Sequence, residues 1–216
     1  MLTDDNAHVI VLYAHPAPQR APLMRALAAA AADLPGVLVR DLYELYPDFD
    51  VDGPAERALL EGARLAVFLQ PIRWYGMPSL MKEWMDVVLL PGWAYGSDHV
   101  PGTDGAPASA TAAAPVGALR GKGYWLVTTT GSGPEAYRPG GLHGRAFADF
   151  LPPFQQAAAL CGMDWIAPFV MHGAAGIGQA AIDAHVAEFR RHLLGYTGAG
   201  AGTGTGAHAQ GDAHGR

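Results

Sequence analysis

Three short segments carry residue types that bind ligands, and each follows an apolar run about the length of a strand. The first segment places His15 and Arg20 ahead of an Ala- and Leu-rich stretch that predicts a helix. Because the exposed N–H groups and the dipole of a helix N-terminus favour an anion, His15, Arg20 and residues 21–24 are candidates for binding a phosphate group. The alternative is a proline-rich turn with a solvated arginine. Neither G-x-G-x-x-G nor G-x-x-x-x-G-K-[ST] occurs in the segment, so no standard dinucleotide or P-loop site is indicated.

The second and third segments suit a flat ring. Trp74 and Tyr75 stand between two prolines in the stretch 71–78, where a planar ligand could stack on them. The stretch 128–133 consists of threonines, glycines and a serine, which let a backbone approach a ligand closely and donate hydrogen bonds. The alternatives are aromatic rings that cap the core and a plain turn.

Tyr137 and His143 follow the third segment. A phenol and an imidazole beside an electron carrier could stabilise negative charge on an acceptor and supply protons. The alternative for His143 is a structural or solvated role. The spacing of His, Cys, Asp and Glu suggests no metal centre, and the nucleophile elbow G-x-S-x-G is absent.

The elements that would position these segments alternate along the chain. We predict strands at 9–14, 37–42, 65–70, 123–128 and 164–170, and helices at 23–34, 52–63, 79–90, 145–161 and 179–194. Five alternations predict an α/β fold with a doubly wound parallel sheet and helices on both faces. We predict the flavodoxin-like order 2-1-3-4-5 in place of a Rossmann order, which periodicity alone does not distinguish. The three segments then meet at the carboxyl ends of strands 1, 3 and 4.

Composition limits the class of protein. The chain of 216 residues suits one domain, and its net charge of −6 argues against nucleic acid as a partner. One cysteine, no basic N-terminal leader and apolar runs too short to span a bilayer predict a soluble, cytoplasmic protein. The Gly-, Pro- and Ala-rich stretch 97–118 predicts a long loop, and residues 197–216 predict a disordered tail behind a domain at 1–196.

Five stretches together resemble a known family, the NAD(P)H:quinone oxidoreductases with the flavodoxin-like fold. The likeness is strongest to their bacterial branch of glutathione-regulated potassium-efflux ancillary proteins. The stretches run in the family's order from residue 8 to about residue 195, and WYGMPSLMKEWMD followed by GWAYG is highly specific. They are Tyr13–Pro16, Asp41–Asp52, Gln70–Gly96, Leu119–Gly133 and Cys161–Gly173.

The resemblance implies a flavin, FMN with FAD as the alternative, reduced by NADPH or NADH in a homodimer. It places the flavin phosphate at His15 and at the helix start, residues 21–24, to which Arg20 adds a further candidate donor, and the flavin ring between the second and third segments. The implied cofactor-binding residues are His15, Arg20, Ala21, Pro22, Leu23, Met24, Ile72, Arg73, Trp74, Tyr75, Thr129, Thr130, Gly131 and Ser132. Tyr137 and His143 correspond to the family's catalytic tyrosine and histidine.

The phosphate segment departs from the family. Ala21 and Met24 stand where a serine and an asparagine are usual, which removes two side-chain donors worth about 1 kcal/mol or more each. Arg20 is the candidate that compensates, and weak flavin binding is the alternative. The loop at 97–118 is also longer than in the nearest relatives.

Three functions follow from the residues and the resemblance, the second of them from the resemblance alone. The first is an enzyme that passes a hydride from NAD(P)H to a quinone-like acceptor by a ping-pong mechanism. The second is a regulatory ancillary subunit, bound peripherally to a membrane potassium antiporter. The third, which rests on the altered phosphate segment alone, is a binding domain without flavin.

Overall fold

The computed structural model describes residues 7–96 and 117–197. The predicted loop at 97–118 lies almost wholly outside these ranges, and so does the predicted tail after Thr197. Thr197 itself is buried, with its backbone and side chain close to Gly36. No helix within the described ranges is long and apolar enough to cross a membrane.

Five parallel strands form a single sheet in the order 2-1-3-4-5, as predicted. The three central strands are buried at every position, because helices cover both faces of a doubly wound sheet. The strands are β1 Val9–Tyr13, β2 Val37–Asp41, β3 Leu65–Pro71, β4 Gly123–Thr129 and β5 Asp164–Met171.

Two hydrophobic clusters fill the space between sheet and helices. On one face, Val11 and Val67 of the sheet pack with residues of α1 and α6, such as Leu27 and Phe189. On the other face, the sheet packs against α2, α3, α4 and α5, with Trp84 of α4 fully buried. The helices are α1 Pro22–Ala32, α2 Leu42–Leu45, α3 Gly53–Gly62, α4 Ser79–Val88, α5 Pro152–Leu160 and α6 Gln179–Leu194.

The structure corrects one predicted helix and adds another. The predicted helix at 145–161 begins only at Pro152, after a 3₁₀ turn at Phe147–Phe150. Proline lacks an N–H, so two prolines fit the first positions of a helix, where no internal donor is needed. The added helix, α2, follows β2 at once, because Asp41 caps it through a hydrogen bond from the Glu44 N–H (3.4 Å).

Candidate functional site

One cavity of about 380 Å³ opens at the carboxyl ends of the strands, where a doubly wound sheet binds its ligands. It is lined by every predicted cofactor residue except Pro22, Tyr75 and Ser132. Sheet register brings the second and third segments together: Pro71 lies opposite Thr129, and the Ile72 N–H donates to the Thr129 carbonyl (2.9 Å).

The start of α1 forms one end of this cavity. Pro22, exposed at the first helical position, has no N–H, and Ala21 offers no side chain to cap the helix. The N–H groups of Leu23 and Met24 therefore donate to none of the described residues, and both residues line the cavity. This end presents free donors and a helix dipole, which is the arrangement that accepts a phosphate.

His15 adds a neutral donor to the same end. Its Nδ1 accepts a hydrogen bond from the Ala17 N–H (3.1 Å), so the neutral ring carries its proton on Nε2. Partial burial and the nearby charge of Arg73 lower the pKa of His15. The exposed Arg20 lines the cavity as well and brings a positive charge to the helix start.

A strained turn forms the aromatic side of the cavity. Arg73 and Gly76 exchange backbone hydrogen bonds of 2.9 and 3.0 Å around Trp74 and Tyr75. Both aromatic residues have left-handed backbone, with φ of 48° and 64°, which costs bulky side chains about 1–2 kcal/mol each. Trp74 is 96% exposed. Retained strain beside a cavity is typical of a functional site.

The loop after β4 forms the opposite side. Thr129 and Thr130 are buried at its base, while Gly131 lines the cavity. The backbone N–H groups of Gly131 and Ser132 donate to no residue in the described ranges, so they are free for a ligand's acceptor atoms.

Tyr137 and His143 lie beside this cavity, although they do not line it. Their rings stack at 4.3 Å, and His143 contacts the site through both ring nitrogens. Nε2 lies 3.1 Å from the Ser132 hydroxyl, and Nδ1 lies 3.4 Å from the Tyr75 hydroxyl. Tyr75 and Ser132, two of the three predicted residues outside the lining, therefore connect the cavity to the Tyr137–His143 pair.

Sequence reasoning missed five residues at or near the site: Ala17, Pro71, His172, Ala174 and Ala175. Three of them follow β5, a strand after which the sequence predicted no site residue. Its position next to β4 was a signal, because the ends of neighbouring parallel strands meet at the same edge.

The lining fits a flavin mononucleotide. Its anion-binding end suits a phosphate, the N–H groups of Gly131 in the lining and of the adjacent Ser132 suit the polar edge of a flavin ring, and Trp74 offers an aromatic face.

Comparisons with known proteins place this chain in a family. The family model described as flavodoxin-like fold matches residues 7–193. The glutathione-regulated potassium-efflux system ancillary protein KefF of Klebsiella aerogenes is 36% identical over 186 residues, which cover 86% of this chain and 94% of that protein.

Solved structures share the fold under several names. A structure described as a thermophilic tryptophan halogenase from Streptomycin violaceusniger is 34% identical with a TM-score of 0.74, covering 86% of this chain and 98% of that one. General stress protein 14 of Treponema denticola, solved with FMN, is 29% identical with a TM-score of 0.69, covering 88% and 98%. An NADPH-quinone reductase of P. pentosaceus is 21% identical with a TM-score of 0.70, covering 86% and 96%. Because one fold carries these different names, the reaction has to be argued from the site.

Proposed function

This chain belongs to the flavodoxin-like fold family and, within it, to the glutathione-regulated potassium-efflux ancillary proteins, and on that premise we propose that it is a flavin-dependent NAD(P)H oxidoreductase. Its acceptor is a quinone or another flat electrophile. The observation that carries this proposal is the single cavity that joins an anion-binding helix start to a loop with free N–H donors and an exposed aromatic turn.

The phosphate of FMN is assigned to the α1 end of the cavity. The Nε2–H of His15, the Arg20 guanidinium and the N–H groups of Leu23 and Met24 would hold it there. The loop 129–132 and the turn 73–76 would orient the flavin ring, which supplies the two-electron chemistry when it is bound. FAD is the alternative cofactor.

Tyr137 and His143 are assigned to charge and proton transfer. Their position behind Ser132 and Tyr75 places a phenol and an imidazole beside the ring-binding part of the cavity. There they can hold or deliver a proton as an acceptor becomes negatively charged. NAD(P)H and the acceptor would use this cavity in turn, as in a ping-pong cycle, which is the mechanism that the resemblance implies.

The absorption spectrum of the purified protein, followed by NADPH and NADH oxidation with menadione, tests this function. Flavin bands bleached by NAD(P)H and restored by menadione are expected. Tyr137→Phe keeps the stacked ring and removes the hydroxyl, so it should lower kcat by about 10-fold or more while FMN affinity stays unchanged. A colourless protein that stays inactive after FMN or FAD is added would reject the proposal and favour a binding domain.

A second candidate function is regulation of a membrane potassium antiporter. It rests on the identity of 36% with KefF over nearly its full length. Co-purification of the chain with an antiporter encoded beside its gene would support regulation. If this binding can be lost while oxidoreductase activity stays unchanged, regulation is a separate role. Turnover of menadione without any partner would support the enzyme.

A homodimer is proposed from the same resemblance. Leu142 and Trp74 are 81% and 96% exposed, and these large apolar side chains are ones that a second copy could cover. Sedimentation should give twice the mass of 22.6 kDa.

A further inference from the structure

His172 stands directly after β5 and joins the loop that ends β4. Three backbone hydrogen bonds already tie these strand ends together: Thr130 N–H to the Met171 carbonyl (3.1 Å), Gly173 N–H to the Ser132 carbonyl (2.9 Å), and Ala174 N–H to the Thr130 carbonyl (2.9 Å). The His172 side chain adds a fourth connection, because its Nδ1 lies 2.9 Å from the Thr130 hydroxyl oxygen.

The hydroxyl of Thr130 determines which atom donates in this fourth bond. It carries a single hydrogen, which goes to the Ser132 carbonyl at 2.8 Å, since a carbonyl can only accept. Nδ1 of His172 must therefore donate its own hydrogen to the Thr130 oxygen. The Thr130 hydroxyl then donates one hydrogen bond and accepts another. These bonds connect Thr130 to Ser132 within the loop and to His172 after β5.

The ring of His172 also supports the proposed catalytic pair. It lies 5.1 Å from the Tyr137 ring, on which His143 stacks, and 5.1 Å from the ring of Phe147, which meets it edge to face. One side chain thus contacts both the loop with the free N–H groups of Gly131 and Ser132 and the tyrosine of the proton-transfer pair.

We propose that His172 is a positioning residue of the flavin site: its Nδ1–H holds Thr130 and so keeps the loop 129–132 in the shape that receives the flavin ring. This inference rests on the proposed function. His172 acts through Thr130 and does not itself line the cavity.

Two substitutions separate the hydrogen bond from the packing. His172→Asn places an amide N–H near the position of Nδ1 and removes most of the ring, whereas His172→Phe keeps the packing and removes the donor. Titration of the flavin-free protein with FMN should show affinity about 5- to 10-fold weaker for His172→Phe, and within about 2-fold of the unsubstituted protein for His172→Asn. At saturating FMN, kcat should fall in His172→Phe while KM for menadione is unchanged.

Equal losses in both variants, or no loss in His172→Phe with melting temperature retained, would overturn the proposal.

The tautomer in the unsubstituted protein gives a test that needs neither folding of a variant nor any activity. A long-range ¹H–¹⁵N NMR spectrum should show the proton of neutral His172 on Nδ1 and that of neutral His15 on Nε2. A proton of His172 on Nε2 would overturn the inference. Failure of FMN to bind at all, with the expected tautomer present, would reject the proposed function instead.

Discussion

The two histidines at opposite ends of the site use the same ring atom in opposite ways. Nδ1 of His15 accepts from a backbone N–H, whereas Nδ1 of His172 donates to a threonine hydroxyl. The neutral His15 therefore offers a donor to the cavity, and the neutral His172 uses its donor inside the protein. Burial lowers the pKa of both rings, which keeps them neutral in these roles.

Arg20 is the residue by which the phosphate end can be tested. Arg20→Gln should weaken FMN binding about 10-fold, because it removes a charge-assisted contact to a phosphate, and it should leave riboflavin binding unchanged, because riboflavin has no phosphate. Titrations that follow flavin fluorescence measure both affinities. Arg25→Gln, an equal loss of charge on the exposed face of α1 outside the cavity lining, is the control and should keep FMN affinity. Equal weakening of FMN and riboflavin in Arg20→Gln would contradict this role.

At the scale of elements, the turn 73–76 has a strained and therefore less stable backbone, which exposes the aromatic rings of Trp74 and Tyr75. Trp74 has a left-handed backbone and almost no burial, so removing its ring loses little packing. Glycine accepts this backbone without strain but loses more entropy on folding than alanine does. Trp74→Gly should therefore be about 0.5–1 kcal/mol more stable than Trp74→Ala, measured by urea denaturation.

Both variants should bind FMN more weakly than the unsubstituted chain, because both lack the ring. A Trp74→Gly protein no more stable than Trp74→Ala would show that the turn carries no strain.

A buried carboxylate connects three elements on the other face of the sheet. Glu56 of α3 is fully buried and accepts hydrogen bonds from Arg40 of β2 (2.5 and 3.1 Å), from the Tyr46 hydroxyl (2.6 Å) and from Nε1 of Trp84 on α4 (3.1 Å). Removing one partner of a buried ion pair leaves the other charge uncompensated. These contacts connect α3 to β2 and to α4.

Glu56→Ala should lower the free energy of unfolding by about 3 kcal/mol. The substitution leaves the Arg40 charge unpaired and the Tyr46 hydroxyl and Trp84 Nε1–H without this acceptor. Urea denaturation measures the change. Asp86→Ala removes an acidic partner from the exposed Lys82–Asp86 pair and should cost less than about 1 kcal/mol. Similar losses in the two variants would show that the Glu56 cluster is no stronger than a surface pair.

For the whole molecule, the neutral histidines predict how stability depends on pH. The pKa values of His15 and His172 lie below the ordinary 6.5 in the folded protein, through burial, with Arg73 adding to the shift at His15 and Glu135 opposing it at His172. As pH falls through 6.5, the unfolded chain takes up protons at these rings before the folded protein does. The stability contributed by the neutral rings is therefore full above this pH and decreases below it.

Melting temperatures between about pH 5 and pH 7 should fall with pH, and the slope should be smaller in the double variant His15→Gln, His172→Asn. Asp41 acts in the opposite direction, because burial raises its pKa from 3.8 and the folded protein therefore takes up a proton there before the unfolded chain does. An unchanged slope in the double variant would contradict the assignment to these rings.

The sequence by itself determined the strands, the order of elements and the segments at the ends of strands 1, 3 and 4. Buried parallel strands leave continuous apolar runs, and the residues after them must gather at one edge of the sheet. Only the tertiary structure decided that Trp74 and Tyr75 have left-handed backbone and that His172 meets Thr130. These features depend on contacts between residues far apart in the chain, and no local pattern of residue types encodes which partners will meet.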